Sequence, residues 1–342
     1  MNNSVISIDL AKNVFQVCEF NQYHKPTSNK KVRRANLLDS VRKLKPTRIV
    51  MEACYSSNYW GREFKEMGYV VDLIPPHQVK PFVVGNKTDH NDALAIAEAS
   101  FRSTTVFVPV KTIEQQDIQS LHRIRDRYIK SRTAVANQMR GLMSEYGVIV
   151  EKRIAVLRRE VPYILEDAAQ PLTVIAREFV ADLYDELRNY DRLIDAKNRL
   201  IGELMESNED YHRICEVPGV GPIVGSAMIA AVGNAKQFKN GRAMAAWIGL
   251  TPRLYASGDT SRMGGMSKRG NQALRRLLIH GARSVVNWSE KKTDGLSLWI
   301  QALKKRMPHC KVVVAVANKL ARMIWAVLSK EEAYRSPEPK AT

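Results

Sequence analysis

The hydrophobic pattern of this 342-residue chain changes its period after the first third, and this change most constrains the fold. Short β-branched runs predict strands at 5–11, 14–20, 48–51 and 69–74. Helical spacing of apolar residues predicts helices at 36–45, 59–67 and 89–100, and a lysine-rich turn follows Phe20. Strands that alternate with helices predict an α/β domain over residues 1–110.

The middle segment, residues 111–207, has a helical period and no net charge. A long polar helix is predicted at 112–145, with breaks at Pro162 and Pro171. From 172 to 204 an apolar stripe has coiled-coil-like steps of three and four residues: Ile175, Phe179, Leu183, Leu187, Tyr190, Ile194, Ile201 and Leu204. The stripe predicts a coiled-coil dimerisation element, and a helical hairpin within one chain is the equal alternative.

Residues 208–330 form a third predicted block, in which glycines cluster and the charge rises. The string VPGVGPIVGSAMIAAVG predicts a helix-hairpin-helix, with Gly219 and Gly221 at a tight turn that can present backbone N–H groups to a phosphate. A plain helix-loop-helix core explains the same string equally well. We expect the polar tail, residues 331–342, to be disordered.

The excess of positive charge is concentrated in the C-terminal block. The whole chain has 53 Lys and Arg against 35 Asp and Glu, a net charge of +18. Residues 251–335 contain 17 basic and five acidic side chains, which is +12 in one quarter of the chain. A localised excess favours a phosphate-binding face, and hence a nucleic-acid partner, over general solubility.

Cysteine spacing and the lack of targeting motifs indicate the cellular compartment. The four cysteines are scattered and include no CxxC pair, which is typical of a reducing cytosol. We recognise no signal peptide, and no apolar stretch approaches the roughly 20 residues of a membrane span. We therefore expect a cytoplasmic protein without a membrane partner.

Four acidic residues stand where acids are otherwise costly. Asp9 interrupts an apolar strand, Glu52 ends another strand, and Asp89 and Asp92 lie on one face of a helix start. Carboxylates at strand ends are suited to Mg²⁺ or Mn²⁺, and Lys87 would help to hold a phosphate. Each acid has a structural alternative: Asp89, for example, fits a helix start capped by Thr88. The order of all four is what favours a metal site.

A serine near the C-terminus is the second candidate reactive group. Ser257 and Gly258 follow a strand-like PRLYA and precede a predicted glycine loop at 264–265. Such a serine is free to attack an electrophile, although a loop serine is more often a turn residue and no general base lies nearby. Ser267 is predicted to cap the next helix. The basic residues around the serine predict phosphate contacts: Arg253, Arg262, Lys268, Arg269, Arg275 and Arg276.

These motifs together resemble a known family. SIDLAKN, VMEACYSSNYWG, NKTDHNDALAIAE, TPRLYASG and MSKRGNQALRRLL look like the DEDD transposases of the bacterial insertion-sequence one-hundred-ten family, which includes the Piv-type DNA invertases. The resemblance covers about residues 5–328. It implies an RNase H-like N-terminal domain similar to the Holliday-junction resolvase RuvC, with Asp9, Glu52, Asp89 and Asp92 as the catalytic tetrad and Ser257 as the nucleophile.

The resemblance also implies a mechanism and partners. It implies Mg-dependent cutting and rejoining of DNA through a phosphoserine intermediate, guided by a bridge-type non-coding RNA. It further implies dimers that assemble into tetramers, in which the acids of one subunit meet the serine of another. Three alternatives stay open: a RuvC-like nuclease that activates water, a site-specific invertase with the same active site, and a non-catalytic nucleic-acid-binding descendant.

Overall fold

The computed structural model describes residues 4–336 and separates into two compact units. The N-terminal unit ends at Ile113, and the C-terminal unit begins at Glu114. The division of the C-terminal part into segments 111–207 and 208–330 stays a prediction, because both belong to the second unit.

A five-stranded mixed sheet forms the N-terminal unit, in the order β3-β2-β1-β4-β5. The strand β1 is central: it is antiparallel to β2 and parallel to β4, while β2–β3 is antiparallel and β4–β5 parallel. The predicted α/β class is thus confirmed for this part of the chain. The strands are β1 (Val5–Asp9), β2 (Val14–Phe20), β3 (Pro26–Arg33), β4 (Arg48–Glu52) and β5 (Val70–Ile74).

Helices cover both faces of this sheet. One face packs Ile6, Ile8 and Met51 against residues of the first two helices, and the other packs Val50 and Ile74 against the fourth. The described part of this unit has four α-helices: α1 (Leu37–Leu44), α2 (Ser57–Glu66), α3 (Pro76–Val79) and α4 (Asp89–Ser100). The helices predicted at 36–45, 59–67 and 89–100 are therefore confirmed.

The lysine-rich stretch after Phe20 differs from its prediction as a turn, because most of it forms the edge strand β3. Its residues pair with β2 from Pro26 to Arg33 and are largely exposed. An edge strand with charged side chains lacks the apolar alternation used to recognise strands, and its lysines discourage pairing with another chain.

Three helices begin the C-terminal unit: α5 (Ile113–Ser144), α6 (Ile154–Glu166) and α7 (Val174–Met205). They share a core that includes Met139, Leu157 and Leu187. The buried part of the predicted stripe on α7 thus packs within the chain, as the hairpin alternative predicts. Ile175, in contrast, is 72% exposed. The coiled-coil dimer stays a prediction.

The predicted helix break at Pro162 is wrong, because this proline lies inside α6. A proline has no N–H to donate to the carbonyl four residues earlier, which here belongs to Arg158. The hydroxyl of Tyr184 on α7 donates to that carbonyl at 2.9 Å. A tertiary contact therefore replaces the missing helical hydrogen bond, whereas Pro171 does precede a new helix capped by Thr173.

The remaining helices pack around α13 as a second core, with one hairpin beside them. The turn after α8 contains Gly219 at φ +82°, where a Cβ would meet the carbonyl oxygen of Gly281. The predicted tight turn between two helices is therefore present, and both the helix-hairpin-helix and the helix-loop-helix interpretation fit it. The elements are α8 (Glu209–Cys215), α9 (Pro222–Val232), α10 (Gly241–Ile248), β6 (Pro252–Ser257), β7 (Thr260–Met266), α11 (Gln272–Trp288), α12 (Gly295–Lys304) and α13 (His309–Lys330).

Two expectations about the end of the chain need correction. The helix α13 has 22 residues and is apolar enough to cross a membrane, which the sequence was expected to lack. Its buried face, including Val316 and Leu320, lies in the core, as in the central helix of many globular domains. Residues 331–336 are also ordered: Glu331 pairs with Lys236 at 2.7 Å, and Tyr334 packs on the core. Positions 337–342 of the predicted tail lie outside the described residues.

Candidate active site

Two of the four acids end neighbouring parallel strands on the same face of the sheet. Side chains alternate along a strand, so Asp9 shares a face with Ser7, opposite Ile8. Glu52 is likewise opposite Met51. Ile8 pairs with Met51, and extending this parallel register by one residue brings Asp9 beside Glu52. The strand period and the register therefore bring together two acids that are 43 positions apart.

The other two acids lie in the first turn of α4, the helix that covers this face. Asp89 and Asp92 are favoured there by the positive end of the helix dipole. The hydroxyl of Thr88 accepts a hydrogen bond from the backbone N–H of Asn91 and caps the helix. Ser7 fixes the helix to β1, because its buried hydroxyl donates to the carbonyl of Ala93 at 2.7 Å. Small side chains on α4 let the helix lie close to the sheet.

Electrostatic coupling shows that the four acids, which we call the acid cluster, lie close together. Burial raises the pKa of Asp9 to about 6, and repulsion from Asp92, Asp89 and Glu52 adds to this shift. Burial and Asp92 also raise the pKa of Glu52. The ammonium group of Lys87 opposes both shifts, so this predicted phosphate-binding cation lies beside the acids. The structure thus brings together all five residues predicted for this part of the site.

Two polar residues at this site were missed by sequence reasoning. Gln16 faces Asp9 across the β1–β2 pair and is only 4% exposed. Its Nε2 donates to Oδ1 of Asn29 at 2.5 Å, and Nδ2 of Asn29 donates to the carbonyl of His90 on α4. The Oε1 of Gln16 is buried without a hydrogen-bond partner. A glutamine in the middle of the VFQVCEF strand was the available signal, since a buried amide requires partners.

The carboxylates of the acid cluster lie near one another but do not form a set of metal ligands in this structure. Within residues 4–336, no three acidic, histidine or cysteine side chains converge at distances suited to a metal ion. The donor set nevertheless fits a hard divalent cation, because it consists of carboxylates and one unpartnered amide oxygen. Mutual repulsion among the acids is the force that such a cation would relieve.

The second candidate residue, Ser257, lies at the tip of the exposed β6–β7 hairpin, which we call the serine hairpin (252–266). It ends β6 and pairs with Thr260 across a two-residue turn. Gly258 in that turn has φ +54°, which a glycine adopts without strain. Ser257 is exposed, as a nucleophile must be. The glycine loop predicted at 264–265 is wrong, because both glycines belong to β7.

One face of the serine hairpin combines the serine with a cation and an aromatic ring. Pairing of Tyr255 with Arg262 and of Ser257 with Thr260 puts these four side chains on the same face. A Cβ at Gly264 would lie 3.1 Å from the Tyr255 ring, so this glycine leaves room for the ring on the strand. The Tyr255 side chain is 59% exposed, and it is a further candidate site residue that the sequence did not predict.

The predicted phosphate-binding cations separate into two groups. Arg253, Arg262, Lys268 and Arg269 are exposed. Arg275 is 7% exposed and donates to the carbonyls of Ile248 and Arg269, so it supports the base of the hairpin and is not available to DNA.

The structure corrects two further predictions about this region. Arg276 forms an ion pair with Asp126, which reduces its capacity to bind phosphate. Ser267 does not cap the next helix: Asn271 does, by accepting from the N–H groups of Ala273 and Leu274. The backbone continues for four residues beyond Ser267 before the helix begins.

Comparison with protein families gives two matches along the chain. Residues 6–148, which contain the acid cluster, match a model of IS110-type DEDD proteins described as "Transposase". Residues 211–295, which contain Ser257, match the model described as "Transposase IS116/IS110/IS902 family".

Curated relatives align with nearly the whole chain. A protein of Pseudomonas aeruginosa described as a probable family 20 transposase is 44% identical over 98% of this chain and 99% of its own length. The transposase for insertion sequence element IS1111A of Coxiella burnetii is 43% identical over 97% and 91%. The transposase for insertion sequence element IS1328 of Yersinia enterocolitica is 32% identical over 96% and 98%. These full-length similarities show that the chain is a member of the IS110/IS116/IS902 family of insertion-sequence transposases, enzymes that cleave and transfer DNA.

Proposed function

We propose that this transposase breaks a DNA strand by attack of Ser257 and rejoins it from a covalent phosphoserine intermediate. One observation carries the proposal: Asp9 and Glu52 end adjacent parallel strands on the face covered by the first turn of α4. The sheet order, with β2 antiparallel to a central β1, supports an RNase H-like, RuvC-like fold for the N-terminal unit.

The acid cluster is the proposed holder of one or two divalent cations, with Asp9, Glu52, Asp89 and Asp92 as ligands. Bound Mg²⁺ or Mn²⁺ would polarise the scissile phosphate and stabilise charge on the attacking and leaving oxygens. Gln16 and Asn29 connect β2, through β3, to the first turn of α4, and Gln16 pairs with Asp9 across β1 and β2. Lys87 adds a positive charge at the edge of the cluster, where a phosphate would approach.

The serine hairpin supplies the nucleophile and its phosphate contacts. Arg253 and Arg262 flank Ser257, and bidentate guanidinium contacts would fix the phosphate for in-line attack. The serine Oγ forms a bond to phosphorus, the bond to the DNA oxygen breaks, and the serine proton ends on the released DNA hydroxyl. Attack by the hydroxyl of a second strand reverses these changes and frees the serine, so no ATP is consumed.

A denaturing gel of end-labelled DNA incubated with the protein and Mg²⁺ tests this proposal. We expect a protein–DNA adduct that proteinase digestion shortens and that Ser257→Ala abolishes. Ser261→Ala is the matched control, because Ser261 lies on the opposite face of the same hairpin and should form the adduct normally. Cleavage that persists in Ser257→Ala without an adduct would favour the nuclease alternative, in which the acid cluster activates water.

Guidance by RNA and assembly into tetramers rest on the family resemblance, with support from the +12 charge of residues 251–335. We propose that a structured non-coding RNA from the element's own ends pairs with donor and target DNA in the bacterial cytoplasm. We further propose that the acids and the serine of one active site come from different subunits. Sequencing of co-purified nucleic acid tests the first proposal: one discrete RNA encoded beside the gene is expected, and random cellular RNA would contradict it. Mixing Asp9→Asn with Ser257→Ala protein tests the second, because shared sites restore activity.

A further inference from the structure

A large groove lies beside the serine hairpin in the C-terminal unit. It has a volume of about 1370 Å³ and lies between β7, the start of α10, and the helices α12 and α13. The side chain of Met263 on β7 lines it and is 75% exposed, so the groove opens to solvent. We call it the methionine groove, because four methionines line it: Met263, Met266, Met307 and Met323.

The floor of the methionine groove is suited to bind a flat apolar group. Two indole rings, of Trp299 and Trp325, join the methionines in its lining. The Nε1 of Trp325 already donates to the carbonyl of Phe238 at 3.1 Å, so this ring is held in place. Aromatic rings stack on nucleobases, and unbranched methionines adapt to ligands of different shape.

All charged side chains that line the methionine groove are positive. Four cations line it, Arg242, Lys311, Lys319 and Arg322, and no lining residue is acidic. Across residues 4–336, none of the four forms an ion pair with a carboxylate. The ammonium group of Lys319 instead lies 4.2 Å from the Trp299 ring centroid. Burial and nearby Arg322 lower the pKa of Lys319, and an anion would relieve this repulsion.

We propose that the methionine groove binds an unpaired segment of the DNA substrate, with bases on the tryptophan–methionine floor and phosphates on the four cations. The unpaired state is required because a duplex hides the base faces that this floor would contact. An apolar floor also distinguishes the groove from the exposed arginines near Ser257, which suit backbone contacts alone.

The position of the groove connects it to the strand break, and to this extent the inference rests on the proposed function. Met263 pairs with Leu254, three residues before Ser257 on the same strand. At roughly 3.3 Å per residue, the groove edge is about 10 Å from the serine. The segment bound there would therefore be only a few nucleotides from the attacked phosphate.

The native protein contains a probe for this proposal, because Cys310 lines the groove and is exposed, whereas the other three cysteines are buried or partly buried. We expect a saturating 12-nucleotide single-stranded DNA to slow alkylation of Cys310 by N-ethylmaleimide at least tenfold, as followed by peptide mass spectrometry. A blunt duplex of the same sequence should slow it less than twofold.

Several outcomes would overturn the proposal. Equal alkylation rates with and without single-stranded DNA would do so, as would stronger protection by the duplex. Protection by single-stranded RNA alone would replace the DNA occupant with RNA. Protection that increases with protein concentration in the absence of nucleic acid would identify a second copy of this chain as the occupant.

A charge-reversed variant provides the second test. Lys311→Glu/Arg322→Glu changes two exposed groove residues, and we expect it to raise the Kd for single-stranded DNA at least tenfold and to reduce the salt dependence of binding. Arg283→Glu/Lys305→Glu makes the same change of charge at exposed positions outside the groove and should change Kd less than threefold. Equal effects of the two variants would contradict a specific groove.

Failure of this inference can be separated from failure of the serine mechanism. Ser257→Ala removes the proposed nucleophile and leaves every groove residue in place. We expect this variant to show the same protection of Cys310 by single-stranded DNA. Loss of the adduct with retained protection supports both proposals, whereas an adduct without protection contradicts the groove alone.

Discussion

The acid cluster and the serine hairpin carry the two proposed halves of the chemistry, yet they are packed very differently. Asp9 and Glu52 extend from buried strands, and α4 is fixed above them by the buried hydroxyl of Ser7. The serine hairpin has two strands, every residue of β6 is exposed, and Leu254 and Tyr255 are 63% and 59% exposed. One region is held by a packed core, and the other leaves apolar surface uncovered.

This difference fits the role that we propose for each region. Carboxylates that bind a cation must be held together against their own repulsion, which only a packed framework can do. A nucleophile that remains attached to DNA must reach a phosphate and later release it. An isolated two-stranded hairpin is marginally stable in water, so DNA or a protein partner is the expected source of its final order.

The largest expected effect concerns the packed region. Asp9→Asn keeps the shape of the side chain but removes a proposed ligand, so we expect strand transfer to fall by about 10³-fold or more. Stability should not fall, because the variant also removes a charge that its neighbours repel. Activity assays and urea unfolding measure the two effects. Asp39→Asn, on the exposed surface of α1, is the control and should be active. A stable but fully active Asp9→Asn enzyme would remove the acid cluster from the mechanism.

The next prediction contrasts the base of the serine hairpin with its tip. Gly270 has φ +83°, and a Cβ there would overlap the carbonyl oxygen of Trp247, so Gly270→Ala should cost about 3 kcal/mol of stability. Gly258 at the tip has φ +54° but open space around it, so Gly258→Ala should cost about 1 kcal/mol. Thermal unfolding measures both changes. Gly265→Ala, in open space without a positive φ, is the control. Equal costs at base and tip would contradict the contrast.

The stability of the two units should change with pH in opposite directions. Burial, with Arg125 nearby, lowers the pKa of His122 to about 4. The unfolded state then binds the extra proton between about pH 4 and 6.5, so the C-terminal unit loses about 3 kcal/mol as pH falls through this range. Asp9 has a raised pKa of about 6, so its contribution is present near pH 4 and lost as pH rises to 6. Screening limits this contribution to about 1 kcal/mol.

Peptide-resolved hydrogen exchange measures the pH dependence of stability separately for each unit. The exchange rates must be corrected for their intrinsic pH dependence, and the slope of stability against pH is then compared between the units. His122→Gln should flatten the slope of the C-terminal unit, and Asp9→Asn that of the N-terminal unit. His280→Gln, at an exposed position on α11, is the control substitution. Slopes of the same sign in both units would show that other groups dominate the titration.

The smallest expected effect tests the buried glutamine beside the acid cluster. Gln16→Met keeps the volume of a buried side chain but removes the hydrogen bond to Asn29, so we expect activity to fall by about tenfold. Raising the Mg²⁺ concentration should recover part of this loss if Gln16 positions the ligands. Gln237→Met, at a partly buried glutamine of the C-terminal unit, is the control. A loss that Mg²⁺ does not change would assign Gln16 a purely structural role.

Most helices and strands, and all four acids, could be predicted from the sequence because their signals are local. The failures have identifiable causes. The strand β3 has no apolar alternation because it lies at an edge, and Pro162 stays helical because Tyr184 satisfies a distant carbonyl. Arg275 resembles its exposed neighbours in sequence, yet it is buried against backbone oxygens. No local pattern reports a partner that is many residues away.

The sequence by itself determined the periods of its segments, the order of the four acids, the glycine that follows Ser257 and the charge of the C-terminal block. Each depends on a residue and its near neighbours along the chain. Only the tertiary structure decided that Asp9 and Glu52 share a face, that Gln16 pairs with Asp9, and that methionines and cations line one groove. Those facts depend on strand register and helix packing, in which residues far apart in sequence exclude water together.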